Sequence, residues 1–311
     1  MAYAQGDVIL DDHYNIFATG SAGGTPDHNV ANINSVWGVG NGDRGYGQTG
    51  TLTAVSAGTT VTATQWSTLL ARLNSALTHQ SGSGSGITSP TAGTVIAFIS
   101  TLSGKITDAY NNRMLFNGTR GSTTTGGNFD NAFSDTSVTR TLTVTFASAD
   151  QARYFFNAGG RLSLVLTPVS FTANAKGNSW TDLVNAVGTI HLDAYSSTRT
   201  GTGETVTTNG LANGYWELTT SDTTLLRLTQ DTSPYTANYI NIAARVAGTA
   251  GSNGGKGTQV IFTIDYVDGA ADSDSGTAFN DVETGTFRQR IDTIRPETTN
   301  LSDVWGTISI A

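Results

Sequence analysis

The sequence predicts an α+β chain, mainly β: an N-terminal extended arm and two helices, then an antiparallel β-sandwich-like domain with two short helices. Three observations predict it. The first 60 residues hold only short apolar pieces separated by Gly-rich turns. Apolar residues then recur at helical spacing from Trp66 to Leu77 and again from Val95 to Ala109. Beyond about Asp130 the pattern becomes alternation, clearest over Val138 to Phe146, Tyr239 to Val246 and Thr258 to Tyr266. The chain divides accordingly into a docking arm (1–60), a helical hairpin with a Gly/Ser linker (61–116) and a β-rich domain (117–311).

In the arm, Gly38 to Gly47 carries too little side chain to build a core. It needs a partner surface, either its own domain or a neighbouring subunit. The first helix is punctuated at its start: Thr62 and Gln65 have capping-box spacing, and Val61 and Trp66 that of a hydrophobic staple. Trp66, Leu69, Leu70, Leu73, Ala76 and Leu77 then make one stripe, so the helix should run from about 63 to 79. Ser81 to Gly86 reads as a flexible spacer. A second helix is expected from about Thr91 to Leu115. Val95, Ile99, Leu102, Ile106 and Ala109 follow 4-3-4-3 spacing over barely two heptads. That spacing suits a helix packed on the first as an antiparallel hairpin, or a seam between subunits.

Gly118 to Asn131 reads as a loop. Strands are expected at 137–147, 161–171, 188–196, 203–208, 213–219, 223–230, 237–247, 257–268, 284–295 and 303–310. Ser148 and Gln151 cap a short helix carrying Arg153 to Asn157, with Gly159 as a left-handed stop. A second short helix starts at Asn178 or Ser179, turns Trp180, Leu183, Val184 and Val187 inward, and ends at Gly188. Many strands at this spacing with turn-rich joints indicate a sandwich.

Composition excludes several functions. Charged residues are 13%, against roughly 25% in average soluble proteins. The net charge is −8 and the basic residues are scattered singly, which argues against a nucleic-acid partner. With no cysteine there is neither a disulfide nor a thiolate metal site. No signal peptide is visible, and no apolar run reaches membrane-spanning length.

Chemical motifs are weak, and neither a cofactor nor a catalytic set is expected. Gly40 to Gly45 matches the dinucleotide spacing Gly-x-Gly-x-x-Gly, but no helix follows it, as the fingerprint requires. Asp11, Asp12 and His13 with Asp27 and His28 make a metal site only on paper; two solvated turns are the simpler reading. Asp272 to Gly276 mildly resembles a calcium loop, without the distal glutamate. Glu204, Glu217, Glu283 and Glu297 are the only glutamates, and nothing in the spacing pairs any two across a cleft. Among the aromatics, Phe155 and Phe156 are expected in the core, with Arg153 on a carboxylate or carbonyl. Tyr215, Trp216, Tyr235, Tyr239 and Trp305 are candidates for surface contacts, because Tyr and Trp are enriched at interfaces.

Several segments also carry a resemblance. The most distinctive runs from Ala152 to Gly160: Arg153, Tyr154, Phe155 and Phe156 in succession, closed by Gly159 and Gly160. Asp130 to Phe133, Thr141 to Phe146, Asn178 to Trp180 with Leu183, Tyr215 to Thr219 and Val260 to Tyr266 accompany it, as do Trp37 to Tyr46 and Thr62 to Trp66. Together they resemble tail-fibre-like or neck-appendage virion structural proteins of tailed bacteriophages, cyanophages among them. The resemblance implies a non-enzymatic virion component, assembled in the host cytoplasm as a homo-oligomer (a trimer or higher ring) with other virion proteins. It carries no catalytic residues. A receptor module for a host surface glycan, a capsid decoration protein and a polysaccharide-degrading enzyme are the alternatives.

Overall fold

A computed structural model describes residues 11–93, 95–134, 136–270 and 283–311. The fold is α+β and mainly β. Four helices come first: α1 (Asp11–Thr19), α2 (Ile33–Trp37), α3 (Ala63–Ser81) and α4 (Ile99–Asn111). The strands are β1 (Thr123–Thr124), β2 (Phe129–Ser134), β3 (Val138–Phe146), β4 (Arg161–Val169), β5 (Thr189–Leu192), β6 (Ser197–Arg199), β7 (Thr205–Asn209), β8 (Thr223–Thr229), β9 (Tyr239–Ala247), β10 (Gln259–Val267), β11 (Thr284–Ile294) and β12 (Ile308–Ile310). Between them lie α5 (Ala149–Asn157), after β3, and α6 (Ala175–Val187), after β4.

The described strands form two antiparallel sheets. One has the order β1-β11-β4-β5-β6, with β2 also on β11; the other runs β12-β3-β10-β9-β8-β7. They meet face to face where Tyr266 of β10 stacks on Phe287 of β11, centroids 3.8 Å apart. Trp180 of α6 packs edge-on against Phe287 and Phe133, so α6 closes part of this core. One apolar core continues from these aromatics through α5 into α3 and α4.

The extended arm is a correction. Residues 11–60 carry two helices and bury Tyr14, Phe17, Ile33, Trp37, Tyr46 and Leu52 against their own chain. Buried asparagines supply the hydrogen bonds that a sheet would otherwise provide. Asn15 donates to the Val55 carbonyl (2.9 Å) and accepts from its N–H (2.8 Å). Asn34 does the same for Leu52, both at 2.8 Å. Each amide stands in for a neighbouring strand, so an isolated extended segment can be buried with its polar groups satisfied. Tyr14 then meets Trp66 of α3 edge-on, centroids 5.5 Å apart.

Helix α3 keeps its expected cap and stripe and runs two residues further, to Ser81, where Gly82 is left-handed. The spacer after it is pinned, because Asn74 Oδ1 accepts from both the N–H and the hydroxyl of Ser85, each at 2.7 Å. The second helix is shorter than expected. It begins at Ile99, and Gly93 before it has φ +84°, which ends any helix there. Ile99, Leu102, Ile106 and Ala109 are buried in this chain's own core, on a helix that packs against α2 and α3, while Val95 lies outside the helix and is 40% exposed. The candidate subunit seam is therefore an internal hairpin contact.

Smaller differences follow pairing rather than propensity. β1 and β2 arise inside the expected loop because β11 offers them a free edge. Residues 213–219 turn instead of extending, with the Leu218 N–H on the Gly214 carbonyl. The expected strands at 188–196 and 303–310 contract to β5 and β12, and β6 is additional. Helix α6 starts at Ala175, because Asn174 accepts from the Gly177 N–H (2.7 Å) and caps it.

At the start of α3, Thr62 Oγ1 accepts from the Gln65 N–H (3.2 Å) and Gln65 Oε1 from the Thr62 N–H (2.7 Å). Thr62→Ala should cost about 1 kcal/mol, seen as a lower urea midpoint at unchanged slope.

Candidate functional site

The most constrained point in the molecule is Arg153. Ser148 caps α5 by accepting from the Gln151 N–H (3.1 Å), and the helix then turns Arg153 inward, where it is fully buried. Its Nε donates to Asp150 Oδ1 (2.8 Å). Nη1 donates to the carbonyls of Gly42 (3.2 Å) and Arg44 (3.0 Å). Nη2 donates to the carbonyl of Val39 and to the Tyr154 hydroxyl. One turn on, Asn157 donates to the Gly45 carbonyl (3.0 Å) and accepts from Trp216 Nε1 (3.1 Å).

The glycine run is what lets those carbonyls converge. Gly45 has φ +89°, and a Cβ there would sit 2.4 Å from the Val39 carbonyl oxygen. At Gly47, φ +68°, a Cβ would enter the Tyr154 ring at 2.3 Å. The Gly-x-Gly-x-x-Gly match is thus a cation clamp. A phosphate needs converging N–H groups, whereas here carbonyl oxygens converge on a guanidinium.

Phe155 and Phe156 are buried as expected, and Tyr215 stacks on Phe156 at 4.1 Å. Gly159 is left-handed, φ +87°. The surface-contact candidates need correction. Tyr215, Tyr235 and Trp305 are buried. Trp216 is half-buried, its carbonyl accepting from Lys256 Nζ, and Tyr239 is half-buried beneath the Arg227 guanidinium. Tyr215 and Tyr239 are covered by side chains of other elements, Phe156 of α5 and Arg227 of β8.

Sequence reasoning missed Tyr195, which is 39% exposed. It borders a cavity of about 210 Å³, together with Met114, Phe116, Arg120, Phe156 and Asp193. Arg120 lies over the Phe116 ring (4.2 Å), donates to the Gly159 carbonyl (2.9 Å) and shares Asp193 with Arg161. The Tyr195 hydroxyl donates to Asp43, which also holds Arg113 at 2.6 Å. Burial pushes the Asp43 carboxyl up, but the hydrogen bonds from Arg113 and Tyr195 outweigh it and hold it below the usual value. Nothing in the spacing of these residues signals the cavity, because its walls come from three separate chain segments, 114–120, 156–160 and 193–196.

The glutamates are dispersed into backbone contacts. Glu204 accepts from the Asp231 N–H, Glu217 from that of Gly214, Glu283 from that of Thr172 and Glu297 from that of Asn300. Among the described residues no three His, Cys, Asp or Glu side chains are grouped to hold a metal, and no helix is long and apolar enough to cross a membrane. Asp272 to Gly276 lies outside the described residues. Comparison with protein-family models, curated proteins and solved structures finds no match for this chain.

Replacing Arg153 by Lys should destabilise the fold by about 3 kcal/mol, because a point ammonium cannot reach all the converging carbonyls and leaves buried acceptors unmet. Chemical denaturation reads the loss, and proteolysis within 38–47 should accelerate.

Three imidazoles set a pH dependence. Burial lowers His79 despite its contact with Glu297 (3.0 Å), and burial likewise lowers His28 and His191. The unfolded chain protonates them near about 6.5. Below that pH it binds more protons than the folded chain, so stability should fall as pH drops from about 7 to 5. Urea midpoints across that range should show a shallower decline in His79→Gln.

Proposed function

We propose that this chain is a non-enzymatic structural subunit of a phage virion, in a tail, tail fibre or neck appendage, assembling with copies of itself and a virion partner. One observation supports the reading above others. Three of the segments that resemble virion proteins, 37–46, 152–160 and 215–219, are far apart in sequence and meet at the Arg153 clamp, through the carbonyls of Val39 and Gly42, the side chain of Asn157 and the indole of Trp216. In this chain the residues of those segments hold a shape, as an assembly subunit requires. Mass spectrometry of purified virions should find the protein at a copy number that is a multiple of its oligomer, measured independently by light scattering. A stable monomer absent from virions would refute the proposal.

A second reading is a carbohydrate-binding module of the same appendage. It is favoured by the cavity beneath Tyr195 and Phe116, where aromatic faces sit beside guanidinium and carboxylate groups. Binding of the assembled protein to a glycan array, weakened in Tyr195→Ala, is the expected result. An array with no bound glycan would remove this reading and leave the structural one standing.

A further inference from the structure

A second cation is as deeply buried as Arg153. Lys176, in the first turn of α6, places Nζ 2.9 Å from Asp268 Oδ2, with side chains only 2% and 3% exposed. Glu283 is also fully buried. Its Oε1 accepts from the Thr172 N–H (2.9 Å), and its Oε2 lies against Gly177, where a Cβ would be 2.6 Å from that oxygen. Lys176 is one turn before Trp180, Asp268 two residues beyond Tyr266, and Glu283 four residues before Phe287. Those three aromatics pack together in the sandwich core. A buried amine and a buried carboxylate are thus in contact, with a second buried carboxyl group against the residue that follows the lysine.

We propose that Lys176 and Asp268 condense spontaneously into an intramolecular isopeptide bond, with Glu283 relaying the proton. A proton passes from the Lys176 ammonium to the Asp268 carboxylate, leaving a neutral amine facing a carboxylic acid. The Nζ lone pair attacks Cγ and forms the N–C bond of a tetrahedral intermediate. Glu283 takes a proton from that nitrogen and delivers it to the departing hydroxyl, so the Cγ–O bond breaks and water leaves. One amide and one water form from one ammonium and one carboxylate. Net charge is unchanged, Glu283 is regenerated, and no oxidant or co-reactant is required. Exclusion of water favours the product, since two buried charges give way to a neutral amide.

The bond would have a mechanical consequence. Lys176 belongs to the helix joining β4 to β5 in one sheet, and Asp268 directly follows β10 in the other. The amide would staple the two faces of the sandwich between residues 176 and 268, a covalent restraint independent of redox conditions in a chain without cysteine.

Intact-mass spectrometry of the purified full chain under denaturing conditions tests this directly, since condensation removes one water, about 18 Da. The expected result is that deficit in the wild type, together with a branched proteolytic peptide joining Lys176 to Asp268. Lys176→Ala and Asp268→Ala should show the uncondensed mass. Glu283→Gln should show it too, and a complete deficit in Glu283→Gln would overturn the relay. A wild-type mass equal to that of the unmodified chain, without the branched peptide, would overturn the bond itself. The readout requires no variant to fold.

Discussion

Burying a guanidinium is the constraint from which much of this structure follows. Unpaired, a charge in the interior is prohibitively costly, so Arg153 dictates what surrounds it. Its partners are mostly carbonyls, and carbonyls converge only if the chain curls tightly; Gly40, Gly42, Gly45 and Gly47 all take positive φ, and at 40, 45 and 47 a Cβ would also collide with its surroundings. The curl then positions the ends of the run. Trp37 lies under the Arg72 guanidinium of α3. Tyr46 is buried between α3 and the end of α4, its hydroxyl donating to the Arg113 carbonyl (2.8 Å) and accepting from Gln80 (2.8 Å). On the other side, the Gly42 N–H reaches the Asn253 carbonyl (2.8 Å) beyond β9. One side chain thereby joins the helical third of the chain to the β body.

The low charge content takes on a structural meaning here. Amides do inside this protein what strand neighbours do elsewhere. Asn15 and Asn34 each satisfy both polar groups of one extended residue, and Asn238 Oδ1 accepts from the N–H groups of Gly269 and Ala270, both at 2.9 Å. An amide offers a donor and an acceptor without the desolvation penalty of an ion. A chain rich in Asn, Thr and Ser can therefore bury irregular segments that a charged chain would leave in solvent.

Legibility from sequence tracks how local the cause is. The capping box at Thr62, the left-handed Gly159 and the alternation of β3, β9 and β10 are set by residues a few positions apart, and each is found where it was expected. The arm, by contrast, reads as core-less because its core is supplied by Trp66 and α3, and by the two asparagines bonding across distances in the chain that no periodicity records. The 4-3-4-3 spacing of Ile99, Leu102 and Ile106 identifies an apolar face correctly but carries no information on what covers it. Tyr215 and Trp305 mislead for the same reason, since an amphipathic ring is found at wet edges and in apolar interiors alike. Lys176 gives no sequence signal at all: a lone lysine near a helix start is ordinarily a solvated one.

Both deeply buried cations sit where elements of different origin meet. Burial is a poor route to stability, because well-packed apolar residues in place of a buried ionic group are often neutral or stabilising. What an apolar side chain cannot do is choose among arrangements. Leucine at position 153 would accept any loop that filled the space, whereas a guanidinium accepts only one that presents oxygen from several directions. Similarly, an apolar residue at 176 would pack against β10 in several registers, while an ammonium seeks the carboxylate at 268. For a glycine-rich chain with many accessible loop conformations, the selective value of these groups lies in the alternatives they exclude. For the virion subunit proposed above, a single geometry at each junction would matter more than additional stability within one chain.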